Sequence, residues 1–352
     1  MGAAVTPLTN GRSATLGRAA VGCLVGHAAL TLFSAYAFAT FLSGPPPEWL
    51  QTPTNQAILR LGWRFGGPTC VVLGALAGIL HAAGRLGERR AVAIFAVAFG
   101  ISLASELLGT ATGYPFGPYS YTDRLGYRIG GLVPFNIPTS WFFMLYCSLA
   151  ICGRLLPSGE PTAALPPSRD RGSDDGRRKW TWALAAGVVL TAWDVSMDPA
   201  MVRTAHWLWH LPAAGDAPLT GRFFGADAFY GMPLSNWFGW LLTGTLVARA
   251  MLAIVPPSEW ARRVSPTDFP LVLYAVNGVL PIAICVSHGM VWAAVLGAAA
   301  MAIPLLLAVR AGAAEGARSG AGSTAGASGD TTGSGRSAIR DQGRPSVLIA
   351  DR

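Results

Sequence analysis

Residues 106–141 read ELLGTATGYPFGPYSYTDRLGYRIGGLVPFNIPTSW. This segment begins with a carboxylate, Glu106, inside an apolar run, continues through a loop dense in Gly, Pro and Tyr, and re-enters an apolar run at Val133. The apolar runs predict membrane helices, and an ionisable group inside such a helix is costly, so Glu106 is a candidate functional residue.

A second part of the chain has the same character. It reads WDVSMDPAMVRTAHWLWH over residues 193–210 and FYGMPLSNWFGW over residues 229–240. Carboxylates, tryptophans and turn-forming residues again interrupt apolar sequence. We expect the two parts to form one site.

The composition indicates a helical membrane protein. Of the 352 residues, 52% are hydrophobic and only 12% are charged, against about 25% charged in ordinary soluble domains. The net charge of +8 comes from short connections and the C-terminal tail, so membrane topology explains it better than nucleic-acid binding does. The five cysteines contain no C-x-x-C pair, which argues against a disulfide framework or a zinc site.

Hydrophobicity predicts an all-α, polytopic protein with about eight transmembrane helices. The first apolar run is too long for the hydrophobic part of a signal peptide, so we interpret it as the first membrane helix. The predicted spans are about 19–43, 62–83, 91–112, 134–155, 180–198, 230–254, 269–287 and 289–309.

The distribution of basic residues predicts the orientation. With both termini in the cytoplasm, twenty of the 26 Lys and Arg residues lie on the cytoplasmic side, as the positive-inside rule requires. The loops at 113–133 and 199–229 then share the outer side. We therefore expect a multi-pass protein of the cell (inner) membrane.

Three carboxylates are predicted to lie at one depth. At a rise of about 1.5 Å per residue, Glu106, Asp194 and Asp198 fall within roughly 10 Å of the outer boundary. Asp194 and Asp198 are four residues apart and share a helix face. Desolvation disfavours the ionised form of a carboxyl group, so such a group can hold a proton and deliver it to a substrate. The alternative is that the three groups only make structural hydrogen bonds, or that Asp198-Pro199 simply ends a helix.

We predict one transmembrane domain over residues 1–311, with its functional middle at 100–245. Residues 157–179 contain many Pro, Ser and charged residues and predict a cytoplasmic linker. Residues 312–352 are rich in Gly, Ser and Ala, and we expect a disordered tail because such a composition cannot bury a core.

Aromatic residues are dense around both outer loops. Some would form the interfacial belt of any membrane protein, but a slot lined by rings would also bind a long apolar ligand and stabilise a carbocation. His206 and His210 are four residues apart, but an amphipathic interfacial helix explains this spacing better than a metal site, so we predict no metal. The candidate substrate-binding residues are Tyr114, Tyr119, Tyr121, Trp141, Trp207, Trp209, Tyr230, Asn236 and Trp240.

Several of these motifs, in this order, resemble the membrane carotenoid 1,2-hydratases, a family that includes the bisanhydrobacterioruberin hydratases. The similar segments cover residues 100–245: Glu106 with GTATGYPFGPYSYTDRLG, VPFNIPTSW, D-x-x-x-D-P from Asp194, WLW at 207–209 and YGMPLSNWFGW. His206 and the long linker and tail depart from the pattern.

The resemblance implies cofactor-free addition of water to the terminal C=C bond of an acyclic (ψ) carotenoid end, giving a tertiary alcohol. The expected partners are the carotenoid, water, the lipid bilayer and other enzymes of carotenoid synthesis. Our hypothesis is that one of the three carboxylates is the acid, preferably Asp198 or Asp194, and that another orients the water.

Two other functions fit the same residues. A proton-initiated carotenoid cyclase or isomerase would form the same cation but leave the mass of the pigment unchanged. A non-enzymatic carotenoid- or lipid-binding protein would bind pigment without altering it. A proton-coupled transporter fits less well, because such proteins place charges at the midplane and carry repeated halves.

Overall fold

The computed structural model describes residues 8–158, 171–211 and 229–327. Helices dominate these residues, and the prediction of an all-α membrane protein is confirmed. The helices longer than one turn are α1 (Leu8–Ala37), α2 (Pro53–Leu61), α3 (Gly67–Leu86), α4 (Glu88–Thr112), α5 (Asn136–Leu155), α6 (Arg171–Arg203), α7 (Ser235–Ile254), α8 (Phe269–Ser287) and α9 (Val291–Ala327).

Within the described ranges, six stretches are long and apolar enough to cross a membrane. They correspond to α1 with the π-helical turn Phe38–Leu42, to α2 joined to α3 through a second π-helical turn, and to α4, α7, α8 and α9. The other two predicted spans, 134–155 and 180–198, do form helices, namely α5 and α6, but these are less apolar. The count of eight membrane spans is therefore not confirmed.

Helix α5 is less apolar because it lies inside the protein. It packs against α3, α4, α6 and α8, and its side chains from Pro138 to Cys152 are buried without a break. A helix that is buried on all sides contacts protein rather than lipid, so it can contain Ser140, Trp141 and Ser148 without exposing them to the bilayer.

The predicted linker and tail are only partly described. Helix α6 begins at Arg171, so the second part of the 157–179 segment is helical, while residues 159–170 lie outside the described residues. The chain through Ala311 forms one compact unit. Residues 312–327 continue α9, and residues 328–352 lie outside the described ranges.

Four short strands connect the helices at the end of the bundle that contains the carboxylates. Strand β1 (Tyr119–Tyr121) pairs with β4 (Trp207–Trp209) in an antiparallel register, and β2 (Arg128–Ile129) pairs with β3 (Val133–Pro134). The two loops that the predicted topology placed on one side are thus joined directly, through β1 and β4.

The interfacial helix expected around His206 and His210 is wrong. Trp207 is buried, Leu208 is 45% exposed and Trp209 is half-buried, which is the period-2 alternation of a strand rather than helical periodicity. The left-handed backbone of Ala205 (φ 54°) separates this strand from the end of α6.

Helices α6 and α7 approach closely through glycines. A Cβ atom on Gly187 would lie 2.7 Å from Oγ1 of Thr245 and 3.1 Å from the carbonyl oxygen of Leu241. Gly244 occupies the facing position, where a Cβ would lie 3.4 Å from Cα of Gly187. The backbones meet here because neither residue has a side chain.

We expect Gly187→Val to destabilise the protein by about 1–3 kcal/mol, the usual cost of overpacking a core, since a carbonyl oxygen on α7 cannot move aside. Thermal denaturation in detergent would measure the effect. Gly100→Val on α4 is the matched control, because a Cβ there meets nothing within 4 Å. Equal melting temperatures for the two variants would contradict the close crossing.

Candidate active site

Glu106 lies near the C-terminal end of α4 and is 3% exposed. Its Oε2 accepts hydrogen bonds from the hydroxyls of Tyr119 and Tyr121, the latter at 2.7 Å. Its Oε1 accepts a hydrogen bond from Nε1 of Trp141 at 3.1 Å. Three donors therefore converge on this carboxyl group, which suits a group that acts as an acceptor only.

The two tyrosines are suited to remain donors. Burial, followed by the negative charge of the adjacent Glu106, raises the pKa of both Tyr119 and Tyr121 well above 10. Their hydroxyls thus stay protonated across the physiological pH range and continue to hold Glu106 in place.

Asp198 is held by side chains of the other strand of the same pair. Its Oδ1 accepts from Nε1 of Trp207 at 3.3 Å and from Nε1 of Trp209 at 3.1 Å. Its Oδ2 accepts from Nδ2 of Asn236 at 2.9 Å. Asp198 is 2% exposed, so its position depends on these donors rather than on water.

The same amide joins Asp198 to the second aspartate. Nδ2 of Asn236 donates to Oδ2 of Asp194 at 2.8 Å, so its two hydrogens serve two carboxyl groups one helical turn apart. Asp194 is fully buried, and in the described parts of the chain its Oδ1 has no hydrogen-bond partner. We refer to Asp194, Asp198 and Asn236 as the carboxyl pair and its amide.

The register of β1 and β4 connects Glu106 to Asp198. Tyr119 lies opposite Trp209, and Tyr121 lies opposite Trp207, with ring centroids 5.2 and 5.9 Å apart. Each cross-strand pair therefore combines a donor to Glu106 with a donor to Asp198. The strand pair fixes the two carboxyl groups relative to each other.

Glu106 and Asp198 both lie on the wall of a cavity of about 470 Å³, which is within the range of roughly 300–1,000 Å³ typical of small-ligand sites. Asp194 is not part of this wall and lies behind Asp198. Trp141 and Trp240 stack with centroids 4.5 Å apart, and Trp193 meets Trp240 edge-to-face at 5.9 Å. All three indoles line the cavity.

The cavity reaches the exposed surface at α1, α2 and the turn between them. Phe33, Trp49 and Ile58 belong to its wall, yet they are 64%, 53% and 64% exposed. Side chains that face both a cavity and the outside form an opening. Because this one is apolar and lies between membrane helices, an apolar molecule can enter it from the bilayer.

The structure brings most of the predicted site residues to this cavity. Tyr114 is 61% exposed and outside the cavity wall. Tyr230 is also outside it, and its hydroxyl accepts a hydrogen bond from the backbone N–H of Trp292 at 3.2 Å. The predicted residues in the wall are Glu106, Asp198, Tyr119, Tyr121, Trp141, Trp207, Trp209, Asn236 and Trp240.

Sequence reasoning missed the contribution of α1, α3 and α8, which lie outside the predicted functional middle at 100–245. His27, Cys70 and Asn277 come from these helices and line the same cavity. A histidine and an asparagine inside apolar runs are unusual, and this was the available signal in the sequence. Nothing in the sequence, however, places these two residues in the same cavity as Glu106.

The two loop histidines have separate partners. Nδ1 of His206 lies 2.7 Å from Oγ1 of Thr204, and Nε2 of His210 lies 2.8 Å from Oγ of Ser120. Burial, followed by the positive charge of Arg124, lowers the pKa of His206 to about 4. Within the described part of the chain, no three His, Cys, Asp or Glu side chains group as metal ligands would.

We expect Glu106→Gln to reduce stability, because the new amide NH₂ would face hydroxyl and indole donors in place of an acceptor. Hydrogen bonds to charged groups contribute about 1.5–3 kcal/mol each. Thermal denaturation would measure the loss, with Glu48→Gln at an exposed site as the control. A melting temperature equal to that of the control would show that the donors do not depend on the carboxylate.

Comparison with known proteins identifies the family of the chain. A family model described as "Carotenoid biosynthesis protein" matches residues 66–304. A bisanhydrobacterioruberin hydratase of Haloarcula japonica is 29% identical over 171 residues, covering 49% of this chain. The chain spans about half of that relative, 46% of its length. No solved structure matches the chain. Because the family model covers more than half of the sequence, the chain belongs to the carotenoid biosynthesis protein family.

Proposed function

We propose that this protein adds water to the terminal C=C bond of an acyclic carotenoid end group, without a cofactor, to give a tertiary alcohol. The observation that carries the proposal is the placement of Asp198 on the cavity wall, joined to Asp194 through the amide of Asn236. The named relative, a hydratase, supports the same reaction type.

Asp198 is the best candidate for the acid. Two carboxyl groups that share one amide in an apolar surrounding are most stable when they share one proton, because two adjacent negative charges repel each other. Asp198 is the member of the pair that lies on the cavity wall, while Asp194 lies behind it and is joined to it through the amide of Asn236. Glu106 is less suited to give a proton, since three donors already point at it.

The aromatic wall suits the intermediate. Proton transfer from Asp198 to a trisubstituted alkene leaves a tertiary cation, and the face of an indole ring attracts a cation within about 6 Å of its centroid. The indoles of Trp141, Trp193 and Trp240 line the cavity that also contains Asp198.

The opening between α1 and α2 supports a substrate that is dissolved in the membrane. A carotenoid would enter end first from the bilayer, with its polyene chain remaining in the apolar opening. We place the protein in the cell (inner) membrane with the site toward the outer side. Other enzymes of carotenoid synthesis, which would supply the substrate and use the product, are its expected partners.

The test is expression in a bacterial host that accumulates lycopene, followed by liquid chromatography and mass spectrometry of the pigments. We expect a more polar pigment heavier by one water. Asp198→Asn should reduce its yield by at least about 100-fold, the scale of general acid catalysis. Asp194→Asn should also reduce it, because an amide cannot share the proton.

Asp174→Asn is the matched control, since this aspartate is exposed and pairs with Arg177, an ion pair of the kind that contributes little. A retention shift without a change in mass would indicate a cyclase or isomerase instead. Unchanged pigment with folded protein would favour a binding role. Full activity in both Asp198→Asn and Asp194→Asn would contradict the assignment of the acid.

A further inference from the structure

A second polar group of residues lies in the same cavity, away from the carboxyl pair. His27 on α1 is 2% exposed, and its Nδ1 lies 2.9 Å from the carbonyl oxygen of Cys70 on α3. A carbonyl can only accept, so Nδ1 carries the hydrogen, and Nε2 of the neutral ring is a bare acceptor. Nε2 is buried, and no hydrogen-bond partner for it lies among the residues that the structure describes.

The side chain of Asn277 on α8 interacts with the same imidazole ring as a hydrogen-bond partner. Its Nδ2 also donates to the carbonyl oxygen of Leu273 at 2.7 Å, and within the described residues its contact with Nε2 of His27 does not have the distance and angle of a direct hydrogen bond. A bridging water can complete a polar contact of this kind. Both residues belong to the cavity wall.

The surroundings keep the histidine ring in place. Gly74 lies against it, where a Cβ would come within 3.2 Å of both Cε1 and Nδ1, and Phe143 meets it edge-to-face at 6.0 Å. Trp193, whose ring lines the cavity beside Trp240, donates to the backbone carbonyl of Asn277 at 2.9 Å. The same tryptophan therefore contacts both Asn277 and Trp240.

His27 lies deeper in the bundle than the carboxyl pair. It is fifteen residues before the end of the first membrane-spanning stretch at Leu42, and Asn277 is ten residues before the end of α8, whereas Asp198 is five residues before the end of α6. At about 1.5 Å per residue, the His27 region is at least about 7 Å deeper. A chain end in the cavity between these two regions would have Asp198 on one side and His27 on the other.

We propose that His27 and Asn277 hold the water molecule that attacks the carbocation, with Nε2 of His27 accepting its proton. This inference rests on the proposed hydration. Asp198 gives its proton to the inner alkene carbon, and its O–H electron pair stays on the carboxylate. The water oxygen then bonds to the terminal tertiary carbon, and one water proton passes to Nε2. Transfer of that proton back to Asp198 through water restores both groups, so the net change is addition of H₂O.

The proposal assigns a separate protein group to each carbon of the double bond. The acid faces the inner carbon of the double bond and the water faces the outer one. Without His27 the cation would still form, but it would return a proton to the site instead of capturing water. Loss of His27 should therefore reduce the yield of alcohol while proton exchange into the carotenoid continues.

The experiment uses full-length protein in membranes, lycopene and D₂O buffer, with mass spectrometry of product and recovered substrate. The wild type should give an alcohol with one carbon-bound deuterium. For His27→Leu and Asn277→Leu we expect at least a tenfold lower yield of alcohol while deuterium still enters the recovered lycopene. His27→Gln, which retains an acceptor near the position of Nε2, should recover part of the hydration.

His81→Gln is the matched control. His81 is also buried, contacts Tyr146 and Thr267 and is not part of this cavity, so the ratio of hydration to exchange should be unchanged. An unchanged ratio in His27→Leu would overturn the proposal. So would parallel loss of hydration and exchange in both His27 variants with folded protein, which would mean that His27 only shapes the cavity. If His27→Leu does not fold, the ratios of hydration to exchange in His27→Gln and Asn277→Leu test the proposal in its place, and unchanged ratios in both would overturn it. Absence of alcohol from the wild type would instead refute the hydratase function.

Discussion

The antiparallel pairing of β1 with β4 is the constraint on which the site depends. An isolated two-stranded ribbon is barely stable in water. Here Tyr119 and Tyr121 on one strand donate to Glu106, and Trp207 and Trp209 on the other donate to Asp198. The strands therefore hold the carboxyl groups, and the carboxyl groups anchor the strands, so neither arrangement persists without the other.

The donors around these carboxyl groups are neutral. Tyrosine hydroxyls, indole N–H groups and one asparagine amide make the described hydrogen bonds, whereas the described ion pairs lie elsewhere, for example Arg90 with Glu259 and Arg154 with Asp268. A guanidinium would hold a carboxylate ionised. Neutral donors fix its position without adding positive charge, so the carboxyl pair can lower its own electrostatic cost by retaining a proton. A proton-donating site in an apolar medium requires this combination.

The parts of the site that could be predicted from local sequence are charged residues within apolar runs. Glu106, Asp194 and Asp198 were identifiable because carboxylates inside apolar runs are costly, and alternation of the helices placed their loops at one end. The strand at 207–209 was not identifiable, because three residues are too few to show the alternation of a strand. The spacing of His206 and His210 also suggested a helix. The interior position of α5 was also hidden, since its residues resemble those of a membrane span until the neighbouring helices are known.

The contribution of α1 and α8 shows a different limit. His27 and Asn277 each appear as a single polar residue within an apolar run, a pattern that equally fits helix packing. Their meeting is a property of helix packing at long range, because 250 residues separate them in the chain.

Their position matters to the outcome of the reaction. A tertiary cation in an acyclic carotenoid can be captured by a more distant double bond of the same chain or by water, and the free energies of activation of these steps depend on which nucleophile is already in contact. A chain extended through the opening between α1 and α2 keeps its other double bonds away from its end. In the proposed reaction, a water held by His27 and Asn277 near that end would be the nearest nucleophile, and hydration would then be faster than ring closure.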